Sequence, residues 1–249
     1  MNKLNLVLLF LISLIASGCA TNTIDKNRLN AFHDARPTSI LVVPPMNEVT
    51  DVEATTSVLA TLPYFLGEKG FYVFPVNTVK TLLEYEGYYE PAEVHSAPPE
   101  QLANLFKADA ILYVTIHEWT AKYMILETTT EVDLSYKLVG AEGAIIWEDR
   151  TKGTYSSQLG NGDLIINSIA AAIERGSPTY IPLTKVVHST TLISPFQSLK
   201  YSEPLAYSVG PGYSEAEEDL GIPPGPYHPE YHKYYQRIAE ENGTDETAE

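Results

Sequence analysis

Cys19 is the single cysteine in 249 residues, and it follows Ala16, Ser17 and Gly18 at the end of an apolar run from Leu4 to Ile15. One thiol makes no intramolecular disulfide and no thiolate metal cluster; it is either a modification site or an incidental or small buried thiol. Nucleophilic catalysis needs a serine or cysteine, a base and an orienting group within hydrogen-bond reach. No G-x-S-x-G elbow is present, and no spacing singles out a serine, a histidine and an acid, so the chain is expected not to be an enzyme. His95 and His117 read as loop and strand-end residues. His228 and His232 stand four apart in "HPEYH", with Glu230 between them. On a helix that spacing would put two ligands on one face, but Pro229 opposes a helix there and no metal site is expected. "GNGDL" (Gly160 to Leu164) reads as a turn and helix cap, and neither glycine-rich nucleotide motif occurs, so no cofactor is expected. A formal net charge of −16 repels the phosphate backbone, which disfavours nucleic acid as a partner.

The remaining candidate is a surface: Pro44, Pro45, Met46, Asn47 and the residues up to Asp51. Two readings stay open. The segment follows a strand at its carboxyl end, where open α/β sheets hold ligands, and its stiff prolines and polar groups could form a contact loop. Alternatively the prolines shape a strand-to-helix turn, and Thr50 or Asp51 caps the next helix.

The elements that must position these residues follow from periodicity. "TSILVV" before Pro44 is a short β-branched run, hence a buried strand. Val52, Val58, Leu59, Leu62, Phe65 and Leu66 recur at helical spacing over Asp51 to Glu68, with Gly70 as a stop. Pro63 is expected to kink that helix, since it lacks a backbone donor. "FYVFPV" (Phe71 to Val76) predicts a second strand, Asn77 the cap of a helix through Glu86, and Pro98-Pro99 the opening of another. "ADAILYVTI" (Ala108 to Ile116) reads as a central strand. Strict alternation over Glu127 to Val139 puts Val132, Leu134, Tyr136 and Leu138 on one face and Asp133, Ser135 and Lys137 on the other, as in an antiparallel strand with one wet face. "GAEG" turns the chain into "AIIWEDRTKGTY", and Asp163 to Arg175 predicts a further amphipathic helix. Strand–helix alternation followed by a meander predicts an α/β fold, a layered mixed β-sheet with flanking helices.

The ends differ in kind. Lys3, the apolar run and the small residues before Cys19 form the order of a secretory leader; the run is short for a bilayer-spanning helix of about 20 residues. Residues 1–18 are read as a signal peptide, which the resemblance of its end to a lipobox implies is a lipoprotein signal peptide cut between Gly18 and Cys19; 19–36 are read as a tether, 37–195 as the domain and 196–249 as a tail. From Val209 onward ten acidic residues meet two basic ones, Lys233 and Arg237, which accounts for half of the net charge. This Pro- and Tyr-rich stretch is expected to be largely disordered, with "EYHKYYQRIAEEN" as a short helix. Its tyrosines suit either a recognition segment or a solvated linker.

"ASGC" resembles the lipobox of bacterial lipoproteins, with Ala16 in place of the usual Leu. The resemblance implies that Cys19 accepts a diacylglyceryl group and an amino-terminal acyl chain; more than one chain is needed for a stable anchor. Ala20, not Asp, after the cysteine implies outer-membrane delivery. "RPTSILVVPPMNEVTDV", "LGEKGFYVFPV", "EPAEVHSAPPEQLANLFKADAILYVTI" and "AIIWE", in this order over about Arg36 to Ser168, resemble a family of periplasmic or outer-membrane lipoproteins of unknown function typified by a neisserial genome-derived vaccine antigen. The resemblance implies a fold similar to the amino-terminal domain of TolB, a homodimer, and work beside a secretion-pore-like lipoprotein partner. The chain departs from that family's usual length after about Gly176.

Together these readings predict a lipid-anchored lipoprotein facing the periplasm, with exposure at the cell surface left open. It would act as a protein-binding or assembly factor in envelope transport; the alternative is a small-molecule or glycan-binding lipoprotein using the Pro44–Asp51 loop. The sheet edge formed by the late strands, at a position such as Thr129, is the expected surface for self-association.

Overall fold

The computed structural model describes residues 29–124, 127–156, 180–192 and 221–245. Its centre is a six-stranded mixed sheet of β1 (Ser39–Val42), β2 (Met46–Asn47), β3 (Tyr72–Val73), β4 (Ala110–Met124), β5 (Glu127–Gly140) and β6 (Ile145–Ser156). The order is β3–β1–β4–β5–β6, with β2 pairing β4 beyond the end of β1. β1 lies parallel to β3 and β4, whereas β4, β5 and β6 form an antiparallel meander. Parallel neighbours require crossovers and antiparallel ones only tight turns, which is why helices fill the first half of the chain. The β5–β6 turn closes on Gly143 at φ +86. The α/β, mixed-sheet expectation therefore holds.

The helices are α1 (Asn30–Ala35), α2 (Glu53–Glu68), α3 (Val76–Tyr85), α4 (Pro91–Ser96), α5 (Pro99–Phe106), α6 (Tyr180–Leu192) and α7 (Tyr231–Asp245). α2 and α6 cover one face of the sheet, where Val58, Leu62, Leu183 and Val187 pack on Val114, Val132, Leu134 and Tyr136. α3, α4 and α5 cover the other face only at its β1 end: Val79, Leu83, Val94 and Leu102 meet Leu41, Ile111 and Val139. Asp109 ties this end together by accepting the backbone N–H and side-chain hydroxyl of both Thr38 and Ser39. The central strand reaches Met124, well past the expected Ile116. β4, β5 and β6 thus run beyond the helices on that face.

α2 forms as expected, with Pro63 inside its helical span. Other expectations change. β3 is only Tyr72–Val73, because Pro75, without an N–H, already precedes the first turn of α3; Asn77 lies inside that turn and does not cap it. α4 was too short to leave a periodic signal; Pro91 opens it and Glu93 accepts the backbone N–H groups of Tyr89 and Glu90. Thr129 is not at an edge: it sits in β5 between Lys122 of β4 and Ser156 of β6, so the late edge strand is β6. The helix expected at Asp163–Arg175 and the leader with Gly18 and Cys19 lie outside the described residues. No helix among the described residues is long and apolar enough to cross a membrane.

Both terminal segments are more structured than composition suggests. The end of the expected tether is α1, whose Phe32 is buried against Phe71, ring centroids 6.2 Å apart. In the expected disordered tail, residues 221–245 pack back on the domain. Ile222 is fully buried in the core. Gly225 N–H donates to Lys69 O (2.7 Å) and Tyr227 N–H to Gly70 O (3.1 Å). Gly70, at φ +82, permits this approach: a Cβ there would lie 2.2 Å from His228 N. α7 then reaches α1, with Tyr234 Oη 2.9 Å from His33 Nε2 and the Arg36 guanidinium over Tyr235. Average composition cannot register one buried isoleucine and a glycine-to-glycine fit.

Candidate functional site

The uncovered part of the second sheet face is polar, and its residues come from three adjacent strands. Register places Thr115, Ser135 and Arg150 side by side, with Tyr113, Lys137 and Glu148 in the next row. Below them the pairing of β4 with β5 slips between Ile116 and Glu118. His117 is the extra residue of that β-bulge, a device that re-aims a side chain. It turns onto the polar face between β2 and β5.

There His117 is held at both nitrogens. Its Nδ1 lies 2.7 Å from Glu48 Oε2 and its Nε2 lies 2.9 Å from Ser135 Oγ. A carboxylate only accepts, so Nδ1 donates to Glu48; in the neutral ring Nε2 then accepts the Ser135 hydroxyl proton. Glu48 is itself placed by its backbone N–H, which donates to Ile116 O at 3.0 Å. Next to Ser135, Arg150 pairs side-on with Asp133 through Nε and Nη2, both at 2.9 Å. That bond, with the nearby charges of Arg150, His117 and Lys152, outweighs burial and keeps the Asp133 carboxyl below the usual range. Lys152 bridges Glu118 at 2.7 Å and Glu131 at 3.8 Å.

The same rows line a groove of about 770 Å³ that includes His95, Tyr113, Thr115, Ser135, Lys137 and Arg150. His95 Nε2 bonds Pro44 O at 3.0 Å and its ring meets Tyr113 edge-on at 5.0 Å. Burial lowers its pKa, partly opposed by that carbonyl bond. Tyr113, whose hydroxyl has no hydrogen-bond partner among the described residues, is pushed up to about 12, first by burial and then by the charge of Glu100. Lys137 Nζ sits 5.5 Å above its ring. The groove thus carries hydroxyls, imidazoles and charges of both signs.

The expected contact loop divides. Met46 and Asn47 form β2, and Pro44 and Pro45 join it to β1. Asn47 accepts Val49 N–H and donates to Asp51 O, while Asp51 Oδ1 accepts Glu53 N–H at 2.8 Å and fixes the start of α2. The N-cap of α2 is Val52, without a side-chain bond, so neither Thr50 nor Asp51 is the cap and Asp51 steadies the turn before it. The segment nevertheless touches the groove's surroundings, the Pro44 carbonyl bonding the groove-lining His95 and Glu48 bonding His117 beside Ser135. His228 is buried before α7, its Nδ1 accepting Glu230 N–H, and His232 is exposed within α7. Among the described residues no cluster of three or more His, Cys, Asp or Glu is placed to hold a metal.

Reading along the chain took His117 as a strand-end residue and Glu48 as part of the contact loop, and gave Ser135 and Arg150 no site role. Alternation had put Ser135 on the wet face, but the bulge that aims His117 and the pairing that brings Glu48 to it leave no local signal.

The comparisons with known proteins concern the domain as a whole. The family model described as "Putative lipoprotein GNA1162-like" matches residues 28–191, so the likeness extends past Gly176 to the end of α6. The lipoprotein NMB1124/NMB1162 of Neisseria meningitidis serogroup B is 33% identical over 163 residues, 65% of this chain and 76% of that one. The crystal structure of lipoprotein GNA1162 from Neisseria meningitidis is 33% identical, spans 56% of this chain and 97% of its own, and superposes with a TM-score of 0.48. A PelC dodecamer from Paraburkholderia phytofirmans is 17% identical over 62% of this chain and 88% of its own, with a TM-score of 0.37. The α6 and α1 elements fall inside the matched range and α7 outside it. The chain belongs to the GNA1162-like lipoprotein family.

Proposed function

We propose that this lipoprotein is anchored in the outer membrane through Cys19, faces the periplasm, and works as a binding and assembly factor in envelope transport. The observation that carries the reading is the sheet itself. β4, β5 and β6 continue beyond the helices and, among the described residues, present a polar, grooved face that no helix covers, a concave polar surface of the kind that binds other molecules. Lipidation supports binding physically, because confinement to a membrane raises the effective concentration of the domain for other membrane-held proteins. A secretion-pore-like lipoprotein is the partner class we favour.

Self-association belongs to the same reading. β6 is the late edge of the sheet, and Ile145 at its start is 52% exposed; an open edge with an apolar residue invites pairing. In-cell crosslinking followed by pull-down tests the partner, with Cys19→Ser as the unanchored control. A partner captured by the wild type and lost with Cys19→Ser supports tethered binding, whereas identical capture by both removes the anchor from the mechanism. Ile145→Lys should lower the dimer fraction seen by sedimentation, and an unchanged oligomer size rejects the β6 edge.

A second reading, a small polar ligand or glycan, is favoured by the groove's volume of about 770 Å³ beside the Pro44–Asp51 segment.

A further inference from the structure

We propose that Ser135, His117, Glu48 and Arg150 form a serine acyl-hydrolase site on the open sheet face, acting on a carboxylic ester of a small polar alcohol. The assembly contains each part that acyl transfer needs. Ser135 Oγ is the nucleophile, 2.9 Å from His117 Nε2. His117 is the base, and Glu48 Oε2, 2.7 Å from Nδ1, holds the tautomer in which Nε2 accepts a proton. His117 stands at a β-bulge, and the backbone of Glu48 is bonded to β4, so strand pairing brings the three groups together, the Glu48 side chain reaching His117 from a half-exposed position.

Arg150 supplies the electrophilic group. It is the direct cross-strand neighbour of Ser135, and such neighbours have Cβ atoms about 5 Å apart. Its pairing with Asp133 uses Nε and Nη2, which among the described residues leaves Nη1 to donate to an oxygen developing negative charge beside Ser135. The groove then holds the substrate: Thr115 and Ser135 offer hydroxyls, and its volume of about 770 Å³ suits a sugar-sized alcohol.

In the step itself Ser135 Oγ bonds to the ester carbonyl carbon while its proton moves to His117 Nε2. The carbonyl π pair goes onto oxygen, next to Arg150. Collapse breaks the carbon–alkoxide bond, and the leaving oxygen takes the proton from His117. Water then attacks the acyl-Ser135 ester by the same route, releasing the acid and restoring Ser135. The binding function proposed above does not depend on this chemistry.

The test is a fluorophosphonate probe applied to the full-length, folded lipoprotein in detergent, with the modified residue located by peptide mass spectrometry. Phosphonylation of Ser135 is the expected result, absent from Ser135→Ala. His117→Ala should slow labelling at least about 100-fold, in line with loss of a general base, and Glu48→Gln about 10-fold, each with a wild-type thermal midpoint. If His117→Ala does not fold, His117→Gln takes its place. An unmodified Ser135 in the folded wild type, modification elsewhere only, or labelling indifferent to His117 overturns the proposal.

Discussion

Two neighbouring residues of β5 end up in opposite worlds. Tyr136 points under α2 and α6, where its hydroxyl lies 2.7 Å from Nδ1 of the fully buried His188; Ser135 points to the open face, where its hydroxyl meets the partly exposed His117. Both are hydroxyl–imidazole pairs, and only the surroundings differ. His188 Nε2 contacts Thr61 Oγ1 at 3.1 Å, and that hydroxyl already gives its proton to Ser57 O and Val58 O. The ring is therefore the neutral Nε2–H tautomer, closed on both sides. Burial, opposed only by a carbonyl bond at Val58, depresses its pKa to about 3. His117 has a carboxylate on one side and, on the other, Ser135, which lines the groove. The covered pair is a structural joint between α2, β5 and α6; the open pair can exchange protons with a ligand.

The largest expected effect breaks the covered pair by acid. The unfolded chain takes up a proton at an ordinary histidine pKa of 6.5 that the native His188 refuses until about 3. Stability is thus full above 6.5 and falls as pH drops through that window, by on the order of 5 kcal/mol if the whole shift is expressed. Urea unfolding across the window should show this slope, and His188→Leu should flatten it; equal slopes would mean that other groups govern acid sensitivity.

His188→Ala at neutral pH comes next. It opens a cavity and removes the Nδ1 acceptor of the Tyr136 hydroxyl and the Nε2–H donor to Thr61 Oγ1, for a loss of about 3 kcal/mol in the same assay. Tyr136→Phe, which keeps the ring and leaves one buried nitrogen unpaired, should cost about 1–2 kcal/mol. On the open face His117→Ala should cost under about 1 kcal/mol, since water replaces the lost bonds. Ser135→Ala should change stability by no more than about 0.5 kcal/mol. A Ser135→Ala loss as large as that of Tyr136→Phe would erase the distinction between the two faces.

The open face also explains why reading along the chain went only so far. Alternation over Glu127–Val139 separated the buried Val132, Leu134, Tyr136 and Leu138 from the outward Ser135 and Lys137, and the structure keeps that division. Helices α2 and α5 and the β5–β6 turn were likewise legible, because periodicity, proline and glycine act within a few residues. The strand Phe71–Val76 shrank to two residues because one proline outweighed an apolar run. The helix in "EYHKYYQRIAEEN" was legible and forms as α7, but the packing of 221–245 on the domain was missed because it rests on a few tertiary contacts, chiefly Ile222 and the fit of Gly225 on Gly70.

By itself, then, the amino-acid order determined the layered α/β class, the strands of the meander, and the residues that carry the family likeness, since each is written in local spacing or composition. Only the tertiary structure decided that Glu48, His117 and Ser135 form one hydrogen-bonded chain across separations of 69 and 18 residues. The reason is geometric: a hydrogen bond tolerates a few tenths of an ångström, and where a side chain stands to that accuracy depends on strand register, on a single extra residue in β4, and on β2 lying against it.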